Sequence, residues 1–225
     1  MERKRSRIRL LEYRPYIRQR EFHDAGGVHT PRPGCPAGCV GQPHRERMLM
    51  GGNQVGKTIC GGAEAAMHLT GRYPEGWRGK RFDRPTRGWA GCDTFVNVRD
   101  GAQRILIGEP KIETAWGTGL IPGDDLAMWA RAGGGVPALL DHVVVRHVSG
   151  GMSTLAFKSY DQGRRKWQGE TLDFVWFDEE PPEEIYYEGL TRTNATGGIV
   201  WLTFTPLNGM SDLVAKYIED CGGLK

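Results

Sequence analysis

Long apolar runs are missing from this chain. No stretch approaches the roughly 18 consecutive apolar residues of a membrane-spanning helix, and Met1–Arg20 has no apolar core of the kind a secretory signal carries. Neither a span nor a leader is expected, and the chain reads as intracellular, with no membrane partner. Charge imbalance is also slight: 30 Lys and Arg against 27 Asp and Glu leave a net +3, too little to identify a partner. Cysteine is sparse and odd in number, at five, which argues against a disulfide framework and agrees with a reducing compartment. Internal repeats and low-complexity tracts are lacking too. What is present is a globular composition, 39% apolar over 225 residues, long enough for one substantial core. A single α/β domain is the expectation.

The small net charge is unevenly spread. Met1–Arg20 carries Arg3, Lys4, Arg5, Arg7, Arg9, Arg14, Arg18 and Arg20 against Glu2 and Glu12. Such an arm suits phosphate backbone or an acidic partner surface, and equally a solvated tail. Gly26–Pro43 is rich in glycine and proline and reads as an irregular loop. Beyond it, short apolar runs at Arg47–Met50, Arg87–Phe95, Leu172–Phe177 and Ile199–Phe204 read as strands. Thr58–Leu69, Val98–Leu106, Glu184–Leu190 and Met210–Asp220 read as helices, Gly117–Gly135 as loop. Asp141–Val148 and Ser153–Tyr160 alternate apolar with polar residues around Ser149–Met152, a hairpin pattern. Strands alternating with helices favour an open, mostly parallel sheet.

The chemistry is concentrated after the first strand, in Gly51-Gly52-Asn53-Gln54-Val55-Gly56-Lys57-Thr58. This satisfies GxxxxGK[ST] in a strand–loop–helix context. Glycines let successive backbone N–H groups turn inward around an anion, and the following helix directs its positive end at the same phosphates. Lys57 suits the β- and γ-phosphates of ATP, and the Thr58 hydroxyl suits Mg²⁺. The apolar strand that ends Phe177-Asp178-Glu179-Glu180 supplies the matching acids. A carboxylate at the end of a buried strand is costly unless paired or engaged with a metal. Asp178 fits Mg²⁺ held through water, and Glu179 fits the residue that polarises water for in-line attack. Glu180 fits the start of the Pro181-Pro182 helix better. Thr203, Thr205 and Asn208, at the end of the last strand, offer hydroxyl and amide groups at the same sheet edge. These residues together predict an ATPase.

The ordered segments FHDAG (Phe22–Gly26), GGNQVGKT, KSYDQGRRKWQG (Lys158–Gly169), FVWFDEE, GLTRTNATGG and LTFTPLNGMS resemble the large subunit of tailed-bacteriophage terminases. The resemblance implies a RecA-like P-loop ATPase core of the additional-strand, catalytic-glutamate type, its mostly parallel sheet flanked by helices. It implies subunits in a ring, commonly a pentamer, at the procapsid portal protein, translocating double-stranded DNA in the cytoplasm of the infected host. A small terminase subunit would recognise the genome; a monomer in isolation stays open. By position, Gly51–Thr58 looks like the phosphate loop, Asp178 like the Mg²⁺ aspartate and Glu179 like the catalytic glutamate. Thr203–Asn208 looks like the coupling motif. Phe22 and His23 sit where such proteins place an adenine-packing segment, or else staple the N-terminus to the core. The expected division is an arm with that segment over 1–25 and the ATPase domain over 26–225, with the Gly/Pro loop at 26–44. The family's C-terminal nuclease has no counterpart in these residues, so no nuclease activity is expected.

Less specific features complete the reading. Cys35, Cys39 and His44 are zinc-ligating types, but their spacing is loose and no second close pair completes four ligands. Ring ATPases need a cation at the γ-phosphate, often an arginine from a neighbouring subunit. Arg164 and Arg165 are the first candidates and Arg192 the second; each could instead contact DNA phosphate or be a surface charge. A helicase-like, nucleic-acid-stimulated ATPase and a slow nucleotide-dependent assembly module are the alternatives.

Overall fold

The alternation of side chains along two strands organises the molecule. On β6 (Phe174–Asp178) the even-numbered Phe174 and Trp176 face one layer, and Val175 and Phe177 face the other. On β7 (Ile199–Phe204) the odd-numbered Ile199 and Trp201 join the first layer, and Val200, Leu202 and Phe204 the second. Both strands are buried at every position, as expected of central strands covered on two faces.

The computed structural model describes residues 8–27, 43–133, 135–206 and 209–220. In chain order it contains a 3₁₀ turn (Arg9–Glu12), α1 (Ile17–Asp24), β1 (Glu46–Met50), α2 (Lys57–Thr70) and β2 (Arg87–Cys92). A helical stretch follows as α3 (Phe95–Val98), a π turn (Arg99–Gln103) and α4 (Arg104–Ile107). Then come β3 (Leu126–Arg131), β4 (Leu140–Arg146), β5 (Met152–Ser159), two 3₁₀ turns (Tyr160–Gln162 and Arg164–Trp167), β6, α5 (Glu183–Asn194), β7 and α6 (Asp212–Asp220).

These strands form one sheet in the order β1-β7-β6-β2-β5-β4-β3. Pairing is parallel from β1 through β5 and antiparallel for β5–β4 and β4–β3. Strand β7 is inserted between β1 and β6, so the C-terminal ends of β1, β7, β6 and β2 share one edge. That edge is where an open α/β sheet receives ligands.

Helix α2 covers the first layer and is buried almost all round, with Cys60, Ala63, Ala65 and Ala66 at zero exposure. Small residues let it lie close to the sheet. A Cβ on Gly61 would sit 2.4 Å from the Trp176 Nε1. Gly61→Ala is therefore expected to destabilise the fold by about 1–3 kcal/mol through overpacking, although alanine is the better helix former. Chemical denaturation checks it; a stabilised variant would contradict this packing.

The fold departs from expectation at two places. Within Gly117–Gly135, Leu126–Arg131 forms β3, paired irregularly with β4. Its burial alternates poorly and the partner strand supplies what local pattern does not. The described part of the basic arm also folds. Leu10 (1% exposed), Gln19, Phe22 and His23 are buried while Arg14, Arg18 and Arg20 stay outside, so residues 8–25 belong to the domain rather than to a solvated tail.

Candidate active site

The phosphate loop runs from the end of β1 into α2. Gly56 caps α2 in the left-handed region at φ +78, and Gln54 adopts φ +62, which L side chains rarely do. Of the loop's glycines, Gly56 is the one whose backbone conformation calls for glycine. Lys57 is buried, and its Nζ donates to the Gly52 carbonyl at 2.6 Å, folding the ammonium across the loop. From outside, α1 holds the same loop: Gln19 Nε2 donates to the Gly56 carbonyl at 2.9 Å and the Tyr16 hydroxyl to the Val55 carbonyl at 3.0 Å. Neither residue stands out in the sequence. Their signal there is faint: Gln19 Oε1 also accepts from the Tyr16 N–H at 3.2 Å, a local capping arrangement at the start of α1.

The acids meet this loop from β6. Asp178 and Thr203 are opposite one another in the β6–β7 register, on the layer that faces α2. Trp176 Nε1 donates to the Thr203 Oγ1 at 2.7 Å, and that hydroxyl donates to Asp178 Oδ1 at 2.8 Å. The Thr58 side chain and the Lys57 charge both favour ionised Asp178, and Lys57 acts on Glu179 in the same direction. Thr203 is fully buried and its hydroxyl is spent on Asp178, so it orients the aspartate rather than facing a phosphate. Thr205 remains at the surface of the loop, donating through its hydroxyl to Asn53 Oδ1 at 3.0 Å. Asn208 lies outside the described residues.

Glu179 follows with its backbone at φ +86. Its N–H donates to the Thr203 carbonyl at 2.9 Å, and its Oε2 accepts the Thr205 N–H at 3.4 Å. Burial raises its carboxyl above the ordinary range, with the Thr205 N–H and Lys57 opposing. That is the direction a proton acceptor in catalysis needs.

Burial pushes the Asp178 carboxyl up to about 7, against the Thr203 bond, the Thr58 side chain and the Lys57 charge. A buried carboxylate so incompletely compensated, beside a threonine hydroxyl, fits Mg²⁺, which takes few protein ligands and keeps water. The folded chain holds a proton on Asp178 that an unfolded aspartate releases near pH 4, so without nucleotide stability falls as pH rises from about 4 to about 7. Asp178→Asn is expected to flatten that fall in thermal melts; an unchanged slope would contradict it.

The remaining candidates are placed elsewhere. His23 is 1% exposed, with Nδ1 at 2.7 Å from Glu64 Oε2 and Nε2 at 3.0 Å from the Tyr13 hydroxyl. Phe22, 7% exposed, lies beneath the Arg47 guanidinium, 4.9 Å from its ring centroid. Both are buried against the core, in keeping with the stapling alternative. Arg164 Nε bonds Glu188 Oε1 at 2.8 Å, and Arg192 approaches Glu188 Oε2 at 3.6 Å. The Arg192 carbonyl accepts from the Leu172 N–H, ahead of β6 and remote from Asp178. Arg165 is exposed. Within one chain, Arg164 and Arg192 are committed to Glu188. Cys35 and Cys39 lie outside the described residues; the His44 N–H donates to the Ala25 carbonyl at 3.0 Å. Among the described residues no group of three or more His, Cys, Asp or Glu is placed to hold a metal, and no helix is long and apolar enough to cross a membrane.

A glycine-rich loop after β1, an acid pair at the end of β6 and a strand inserted between them define a RecA-like P-loop fold of the additional-strand type. The family model for the terminase large subunit, T4likevirus-type, N-terminal, matches residues 48–222, and the chain belongs to that family. It is 44% identical over 228 residues to the terminase large subunit of Salmonella phage P22, covering 94% of this chain and 42% of that protein. It is 32% identical over 134 residues to the terminase large subunit of Enterobacteria phage LP7, covering 58% of this chain and 27% of that protein. The chain thus spans less than half the length of these relatives. Among solved structures, the large terminase of a thermophilic bacteriophage superposes with a TM-score of 0.51 at 12% identity, covering 85% of this chain and 39% of that one, a likeness of fold.

Proposed function

We propose that this chain binds ATP with Mg²⁺ between the Gly51–Thr58 loop and Asp178, and hydrolyses it with Glu179 as the base. We further propose that the cycle moves double-stranded DNA into a viral procapsid. The observation that carries the reading is convergence: Thr205 bonds the loop through Asn53 and the acids through Glu179, and Thr58 and Lys57 lie close enough to Asp178 to favour its charged form. Loop and acids come from distant parts of the sequence, and family membership agrees with their meeting.

In this reading loop N–H groups and the α2 N-terminus hold the phosphates. Lys57 leaves its Gly52 carbonyl for the β- and γ-phosphates. Thr58 and Asp178 hold Mg²⁺, which when bound neutralises charge on the phosphate oxygens. Glu179 orients a water in line with the γ-phosphorus. As the water oxygen bonds phosphorus, its proton passes toward the Glu179 carboxylate and the bond to the bridging oxygen of ADP breaks, leaving inorganic phosphate. Thr205 links both partners of the step, through its N–H to Glu179 and its hydroxyl to Asn53, and suits the transmission of phosphate loss to β7. Asn208 extends that coupling segment.

The cellular setting comes with the family. Chains assemble as a ring at the portal protein in the host cytoplasm, a small terminase subunit selects the genome, and one of Arg164, Arg165 or Arg192 completes a neighbour's site. DNA contact would be to phosphate and weaken steeply with salt.

Lys57→Ala tests the phosphate assignment. It is expected to weaken Mg²⁺–ATP binding at least tenfold, about 1.4 kcal/mol or more, measured by calorimetry. Wild-type affinity in the variant would contradict the phosphate assignment.

A further inference from the structure

Glu179 holds an uncommon backbone conformation for a residue with a side chain. At φ +86 it is in the left-handed half of the map, a costly conformation that persists only where surrounding contacts enforce it. Its N–H is fixed by the Thr203 carbonyl of the neighbouring strand. Its carbonyl is fixed by a residue with no part in the chemistry above: the Tyr160 hydroxyl donates to the Glu179 carbonyl at 2.8 Å. The same hydroxyl lies 3.3 Å from the Gly91 carbonyl, near the end of β2.

Tyr160 opens the 3₁₀ turn that follows β5, so its anchor is independent of the β6–β7 pair it touches. The ring is packed beside Trp167 and Phe177, with centroids at 5.8 Å and 6.1 Å. Burial holds the phenol protonated, well above its ordinary range, so the oxygen remains a donor at every working pH.

We propose that Tyr160 is a positioning residue for hydrolysis: its hydroxyl clamps the main chain of Glu179 in the left-handed conformation that aims the carboxylate at the attacking water. The inference rests on the reading of Glu179 as the base. Tyr160 is buried and its hydroxyl is spent on main-chain carbonyls, so its loss should slow turnover without weakening nucleotide binding.

Tyr160→Phe keeps the ring and removes the donor. With double-stranded DNA present, kcat for ATP is expected to fall at least tenfold, with the nucleotide Kd within twofold of wild type and the melting temperature nearly unchanged. Para-methylphenylalanine and para-aminophenylalanine at position 160 provide a size-matched pair that also serves if the cavity in the Phe variant prevents folding. The amino form, which keeps a donor, should turn over at least tenfold faster than the methyl form. Equal rates for that pair, or a wild-type kcat for Tyr160→Phe, overturn the clamp. Glu179→Gln measured alongside keeps the two ideas apart. If that variant turns over like wild type, the reading of Glu179 has failed; if it is inactive while Tyr160→Phe is normal, only the clamp has failed.

Discussion

Glu179→Gln is expected to cut ATP turnover by roughly 10²–10⁴-fold while leaving nucleotide affinity within a few-fold of wild type. Glutamine preserves the shape and the Thr205 N–H contact made by Oε2, but its amide cannot take a proton from water. Lys57, the loop amides and Asp178, to which binding is assigned in the proposal, are untouched. Burial raises the Glu179 carboxyl, so on the acid side turnover should decline at a pH above the ordinary glutamate value, near 4.3. The Gln variant should lack that limb. Steady-state phosphate release and nucleotide titration on the same preparations make the test. Lost binding with lost turnover would make Glu179 a structural residue, and unchanged turnover would remove it as the base.

Removal of the Glu64 carboxylate should have the largest effect on stability. Glu64 is wholly buried on α2. It accepts from Arg47 of β1 at 2.5 and 3.1 Å, and its oxygens lie 2.7 Å from His23 of α1 and 3.4 Å from His68. Burial alone would raise this carboxyl, but Arg47 and the two histidines hold it well below the ordinary range. The stabilisation is therefore present at neutral pH and lost as pH falls below the unfolded glutamate value near 4.3. Glu64→Ala leaves the Arg47 guanidinium, 4% exposed, without its counter-charge, and should cost about 3–5 kcal/mol. The pair ties together β1 and α2, the two elements that hold the ends of the phosphate loop, so the variant should also loosen nucleotide binding. Arg47→Met with Glu64→Leu replaces both charges with apolar groups and should recover most of the stability. Denaturant titration of the three proteins decides. An Ala variant as stable as wild type, or a double variant as weak as the single, would refute the role given to the pair.

Much of the site is legible in the amino-acid sequence. The Gly51–Thr58 pattern and the Leu172–Phe177 run ending in acids are local signals, since one backbone geometry and one burial pattern each demand those residue types. Strand Ile199–Phe204 has the bounds its apolar run suggests, because Gly197-Gly198 punctuates its start. What is not legible depends on partners far away in the chain. Strand β3 exists because β4 pairs with it. Thr203 serves Asp178 rather than a phosphate because register places the two side by side on the layer holding Trp176. The buried assembly of His23, Arg47, Glu64 and His68 draws on three elements, and no spacing in the chain announces it. Tyr160 and Gln19 are silent for the same reason: each acts on a backbone carbonyl, Glu179 or Gly56, that carries no sequence signature.

All of the proposed chemistry requires that loop and acids enclose one magnesium nucleotide. A crystal structure of this chain with Mg²⁺ and a slowly hydrolysed ATP analogue is the decisive measurement. The expected result is Lys57 turned from the Gly52 carbonyl to the γ-phosphate, Mg²⁺ between Thr58 and the Asp178 side, and Glu179 facing a water in line with the γ-phosphorus. Phosphates bound away from Gly51–Thr58, or a metal with no contact to Thr58 and no link through water to Asp178, would contradict it.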